Sequence, residues 1–282
     1  MAFARADIAA AAQRLLDDGY ELWLASNRAV LERLDVNPFG LAVAPIDVLA
    51  PLQRSWSAAD LMRVYNVLNA TAFGEKGIPL QNWVMIDLGL LPSAFLLVTL
   101  PVARARAALD DRRLDPAALR RVRSVLPAVL AEAERLGYEG PIPVAGYCAA
   151  PTPTAGAWVG WSLCSAIPGL GTTTKGIALE AYRATILTGV AQFWDAGLRV
   201  HRRFGRMEIV AAVLDLHPVP GTMVYRTELY ARDDGEQPTL MMDSRDVARQ
   251  RELQDRIDSG AGRFFILSPG LVDDRVPILE RS

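Results

Sequence analysis

Residues 165–176 read SAIPGLGTTTKG, with Gly169 and Gly171 two apart and Thr172, Thr173, Thr174 and Lys175 directly after them. The preceding run, AWVGWSLC over 157–164, is apolar and rich in β-forming residues. The following run, IALEAYRA over 177–184, suits a helix. Strand, glycine loop and helix in that order form a phosphate-binding arrangement. Glycines let backbone N–H groups approach a phosphate with no Cβ in the way. The first helical turn adds unpaired N–H groups and a partial positive charge. Thr172, Thr173 and Thr174 add hydroxyl donors and Lys175 a cation. The spacing is not that of a nucleoside-triphosphate loop, which needs G-x-x-x-x-G-K-[ST]. It is not a dinucleotide fingerprint either, because the third glycine is missing.

Outward from this loop, strands are expected over 142–150, 156–166, 185–194, 208–214 and 222–230, with helices over about 172–184 and at the short run before Gly205. Asp115-Pro116 opens a helix well, a capping residue followed by proline in the first turn, and that helix runs to Gly137. Residues 4–34 read as helix, and Ser57-Ala-Ala-Asp60 as the start of another. The longest apolar stretch, 84–100, is broken by Asp87 and Pro92. It fits two buried strands better than a membrane span. A charged helix is expected over 244–258. These elements divide the chain into an N-terminal region over 1–100, a helical segment over 101–140, an α/β core over 141–232 and a C-terminal helix and strand over 233–282.

From 141 to 230 the chain resembles the GNAT superfamily of N-acetyltransferases. Ala145-Gly146-Tyr147 is similar to the start of that family's third strand. Pro168-Gly169-Leu170-Gly171 is similar to its pyrophosphate loop, and 195–205 to its last acyl-CoA-binding helix. The resemblance covers about a third of the chain. It implies a mixed, mostly antiparallel sheet flanked by helices, here with an N-terminal helical extension. It implies coenzyme A or acyl-CoA as co-substrate, held by Ser162, Leu163, Pro168, Gly169, Gly171, Thr172, Thr173, Lys175, Asp195 and Arg202. Ser165 and His201 are the catalytic candidates. The sequence departs from the family in three places. Ala166 stands where the family has Gln or Arg, Asp195 where it has Asn, and His201 and Arg202 lie where it often has a thiolate-protonating Tyr.

Half of the 282 residues are hydrophobic and 22% are charged, enough for a substantial core. A net charge of −2 argues against nucleic acid held by bulk electrostatics. Cys148 and Cys164 are too few for a disulfide framework, and with His201 and His217 they show no metal-ligand spacing, so no metal is expected. Each candidate also has a structural reading. Cys164 on the substrate strand is a buried thiol or a nucleophile. The run Arg199, His201, Arg202, Arg203 is a solvated face or a cationic contribution to the phosphates. Trp158, Trp161 and Trp194 are core or cleft walls. Tyr65 to Asn69 and Glu75-Lys76 fall where the family binds its acceptor.

The function implied is acyl transfer from acyl-CoA, or from an acyl carrier protein's thioester, to an amine of a small molecule. A thioester hydrolase, decarboxylase or tailoring enzyme on the same fold stays open, as does a ligand-binding protein without turnover. No nucleic-acid or membrane partner is expected, and a cytoplasmic location is. Residues 1–100 complete the fold, cover the acceptor site or form a homodimer contact.

Overall fold

The computed structural model describes residues 4–26, 28–32, 34, 39, 41–45, 58–74, 93–111, 113–192, 200–212, 222–230, 265–266 and 279–280. The chain divides into two compact units. The first holds Arg5–Pro151 and Trp161–Arg183. The second holds Met1–Ala4, Thr152–Gly160 and Ala184–Ser282. The sequence divisions at 100 and 140 both fall inside the first unit.

The first unit begins with α1 (Arg5–Asp17), β1 (Glu21–Ser26), α2 (Arg28–Leu31) and β2 (Ala42–Pro45). The expectation of helix over 4–34 is therefore corrected: residues 21–26 are a strand. The reason is the Asp18-Gly19 pair. Gly19 adopts a left-handed φ of 73°. Its N–H bonds the Leu16 carbonyl while Tyr20 N–H bonds that of Leu15, the two-bond glycine closure of a helix. Past that stop, Leu22 and Leu24 fall on one buried face of a strand.

Next come α3 (Ala58–Gly74), β3 (Ala94–Leu100), α4 (Val102–Ala108), α5 (Pro116–Leu136) and β4 (Ile142–Pro151). β3 is buried along its whole length, as the apolar run demanded. The expected partner strand over 82–90 lies outside the described residues, as does the helix over 244–258. In α5 the Asp115 carboxylate accepts from Ala117 and Ala118 N–H, both at 2.8 Å. Gly137 closes the helix with a φ of 60°. Val122, Val125, Leu126, Val129, Leu130 and Ala133 recur at helical spacing on its buried stripe.

β5 (Ala157–Ser165) and α6 (Leu170–Ala181) follow. In the first unit the strand order is β2-β1-β3-β4, with the Trp161–Ser165 half of β5 beside β4. β1 pairs β3 and β3 pairs β4 antiparallel, whereas β1 and β2 are parallel. One face of this sheet carries α3 and α5: Tyr65 meets Phe95 edge-on and fills the space above Gly146. The other carries α1 and α6: Tyr182 stacks on Tyr147 and donates to the Ala94 carbonyl at 3.0 Å.

The second unit contains the Ala157–Gly160 half of β5, then β6 (Ile186–Gln192), a 3-10 turn (Arg202–Phe204), β7 (Gly205–Ala212) and β8 (Thr222–Leu229). β6 pairs β5 in parallel over four residues, Ala157–Gly160 with Ile186–Gly189. β8 lies between β6 and β7, antiparallel to both. Phe265–Ile266 (β9) pairs Leu279–Glu280 (β10). The chain is thus a mixed α/β protein with a mostly antiparallel sheet and flanking helices.

Candidate functional site

The loop that opened the sequence reading lies wholly in the first unit. β5 ends at Ser165, and Ala166 N–H then bonds the Val144 carbonyl of β4 at 2.8 Å. Ser165 donates its hydroxyl to the Ile167 carbonyl, two residues on. Arg121 of α5 donates to the Ser165 carbonyl at 3.3 Å. Ser165 is thus a brace of the loop, its one hydroxyl hydrogen committed within it.

Pro168 and Gly169 are exposed. Gly169 takes φ 88° and ψ −26°, a conformation an L side chain strains to reach, and it caps α6 with no side-chain hydrogen bond. A Cβ placed on Gly169 would meet nothing within 4 Å. One on Gly171 would first meet Leu163 at 3.9 Å. The start of α6 is therefore a helix N-terminus approached over glycine, in the geometry that presents N–H groups to an anion. Thr172 and Thr173 are half-buried beside it. Thr174 is buried and turns its hydroxyl back to the Leu170 carbonyl at 2.8 Å.

Lys175 is set differently from a surface cation. Its side chain is fully buried on the sheet-facing side of α6, with Nζ 5.8 Å from the centre of the Tyr147 ring. Burial holds its amine well below the usual lysine range.

Along the Trp161–Ser165 half of β5 the side chains alternate. Trp161 is exposed, while Ser162 and Cys164 are buried. The latter two lie against Tyr65 of α3, whose hydroxyl sits 3.3 Å from Ser162 Oγ and accepts from Cys164 Sγ at 3.8 Å. Tyr65 is fully buried. That burial, then the neighbouring thiols, raises its phenol well above the ordinary tyrosine value. Burial also pushes up the Cys148 thiol. Neither cysteine is in a disulfide. Sequence reasoning flagged Tyr65 only through the acceptor helix. Its contact with β5 spans 97 residues, and no local signal announces it.

A cavity of about 640 Å³ opens beside Ile167, with Asp18, Tyr20, Arg104, Asp111 and Arg113 on its walls. Arg113 grips Asp111 through two guanidinium nitrogens, at 2.9 and 2.8 Å, and these bonds hold the carboxyl at about 2.

The remaining candidates belong to the second unit. His201 is buried there, stacked on Tyr225 with ring centres 4.4 Å apart, and its Nδ1 lies 3.0 Å from the Tyr225 hydroxyl. Arg202 starts the 3-10 turn. Asp195 lies outside the described residues. Among the described residues no group of three or more His, Cys, Asp or Glu could hold a metal ion. No described helix is long and apolar enough to cross a membrane.

Comparison with known proteins is sparse. No protein-family model matches the chain, and no curated protein is similar to it in sequence. Among solved structures, a candidate acetyltransferase of the GNAT family from Desulfovibrio desulfuricans matches 48% of this chain and 98% of its own, at 20% identity and a TM-score of 0.27.

Proposed function

We propose that this chain binds a coenzyme A thioester, with its diphosphate on residues 165–173, and passes the acyl group to an amine of a small molecule. The observation that carries the reading is the start of α6. A left-handed Gly169 joins β5 to a twelve-residue helix whose N-terminus has no side-chain cap. A diphosphate matches such an end in charge and in hydrogen-bond geometry.

In this reading the N–H groups of Gly171, Thr172 and Thr173 take the diphosphate, helped by the two threonine hydroxyls. Pro168 and Gly169 shape the loop. The backbone of Trp161–Ser165, including Ser162 and Leu163, runs beside the pantetheine arm. A carrier-protein thioester would present the same arm. Lys175, buried against Tyr147, packs α6 on the sheet and does not touch phosphate.

The neutral amine attacks the thioester carbon and a C–N bond forms. Negative charge collects on the carbonyl oxygen, where strand N–H groups offset it. The C–S bond then breaks, the thiolate takes a proton and the amine nitrogen loses one, leaving an amide and a free thiol.

Thermal unfolding with acetyl-CoA and longer acyl-CoAs tests the reading. A ligand at about 100 times its Kd adds roughly 2.7 kcal/mol, and each kcal/mol is worth about 2–4 °C in a chain of this size. Gly171→Trp, at a position with room for a Cβ, should melt near the parent temperature and lose the ligand shift. No shift with any thioester would overturn the proposal. Thiol release without an amine would make the protein a hydrolase instead.

A further inference from the structure

The mechanism above leaves a buried polar row unused. Cys164, Tyr65 and Ser162 meet on the α3-facing side of the half of β5 proposed to lie along the thioester arm, and all three are at least nine-tenths buried. The hydrogen bonds have a chemical direction. The thiol of Cys164 donates to the Tyr65 oxygen. A phenol is a stronger acid than an alcohol, so between Tyr65 and Ser162 the tyrosine is the better donor. Its burial also keeps the phenol protonated. Either oxygen of this pair can donate; with Tyr65 as the donor, the serine's own hydrogen is left for a third acceptor. Tyr65 is held for this task from two sides. Its ring packs edge-on against Phe95 and covers Gly146, where even one methyl carbon would lie 2.2 Å from it.

We infer that Ser162 is an oxyanion donor for the acyl transfer and that Tyr65 is the positioning residue that aims it. The inference rests on the thioester reading above and goes beyond it by naming the side chain that meets the carbonyl oxygen. As the amine adds and the carbonyl π electrons move to oxygen, the Ser162 hydroxyl donates a hydrogen bond to that oxygen. The proton stays on the serine. When the C–S bond breaks, the electrons return to the carbonyl and the serine is unchanged.

The test needs no acceptor. Acetyl-CoA with and without carbon-13 at the thioester carbonyl is bound to the full chain, and the carbonyl stretch is read by isotope-difference infrared spectroscopy. A hydrogen bond from Ser162 lowers the bound frequency relative to free acetyl-CoA. Ser162→Ala should return it to the free value, and Tyr65→Phe should return it part of the way. In turnover with an amine, Ser162→Ala should lower kcat about 100-fold, with KM little changed. Tyr65→Phe should lower it roughly tenfold, the worth of one hydrogen bond. The double variant should be no slower than Ser162→Ala, because Tyr65 acts through the serine. A purely structural tyrosine would add its loss to the serine's and leave the frequency alone.

Equal carbonyl frequencies in the parent and Ser162→Ala proteins, with acetyl-CoA bound to both, overturn this inference and leave the thioester reading standing. Failure of the parent chain to bind acetyl-CoA overturns both. If Tyr65→Phe does not fold, the Ser162→Ala spectrum alone decides.

Discussion

Lys175 illustrates how one residue type carries opposite meanings according to the face it occupies. Behind a glycine loop a lysine suggests a phosphate contact. In the fold it sits one helical face away, buried over Tyr147. Desolvation lowers its proton affinity well below the usual 10.5. The unfolded chain keeps that proton up to the ordinary lysine value, whereas the folded chain has released it at lower pH. Between those two values the unfolded state binds more protons, so stability rises with pH across that window. Lys175→Met keeps the packing and removes the ionisable group. Its melting temperature should exceed the parent's near neutral pH and change less on going from about pH 7 to about pH 10. A variant whose melting temperature tracks the parent's across that range would show that Lys175 titrates normally.

α5 shows what local chemistry accomplishes at the scale of an element. Asp115 satisfies two N–H groups at one end, and Gly137 turns left-handed at the other, where Tyr138 N–H closes on the Ala133 carbonyl at 2.8 Å. Pro127 lies inside the helix on its exposed side. The missing backbone bond therefore faces water and the helix continues past it. Asp115→Ala should cost about 1 kcal/mol, read as a drop of about 2–4 °C in melting temperature. A loss within error would mean that packing of the buried stripe, not the cap, fixes the start of α5.

For the molecule as a whole, the layered packing of the first unit depends on places where a side chain is left out. Gly146 on β4 makes room for Tyr65, and Tyr65 in turn links α3 to Phe95 on β3 and to Ser162 on β5. Gly146→Ala drives a carbon into the ring, and the ring moves only by disturbing those contacts. A loss of about 1–3 kcal/mol is expected, together with weaker near-ultraviolet dichroism from displaced tyrosines. Unchanged stability would show that α3 shifts outward freely and that the Tyr65 contacts are not tightly held.

The sequence by itself determined whatever rests on neighbours in the chain. The strand, glycine turn and helix over 157–181, the Asp115 cap and the buried run 94–100 all follow from residue type and short spacing. The strand over 21–26 is also announced locally, by Asp18-Gly19, although helix-forming residues flank it. Tertiary structure decided what depends on which faces meet. The burial of Lys175, the tying of Ser165 into its own loop and the approach of Tyr65 to Ser162 and Cys164 fall in this class. Backbone hydrogen bonds and φ preferences act over a few residues, so their pattern is written along the chain. Contact across 97 residues is fixed only when whole helices and strands bury their apolar faces together.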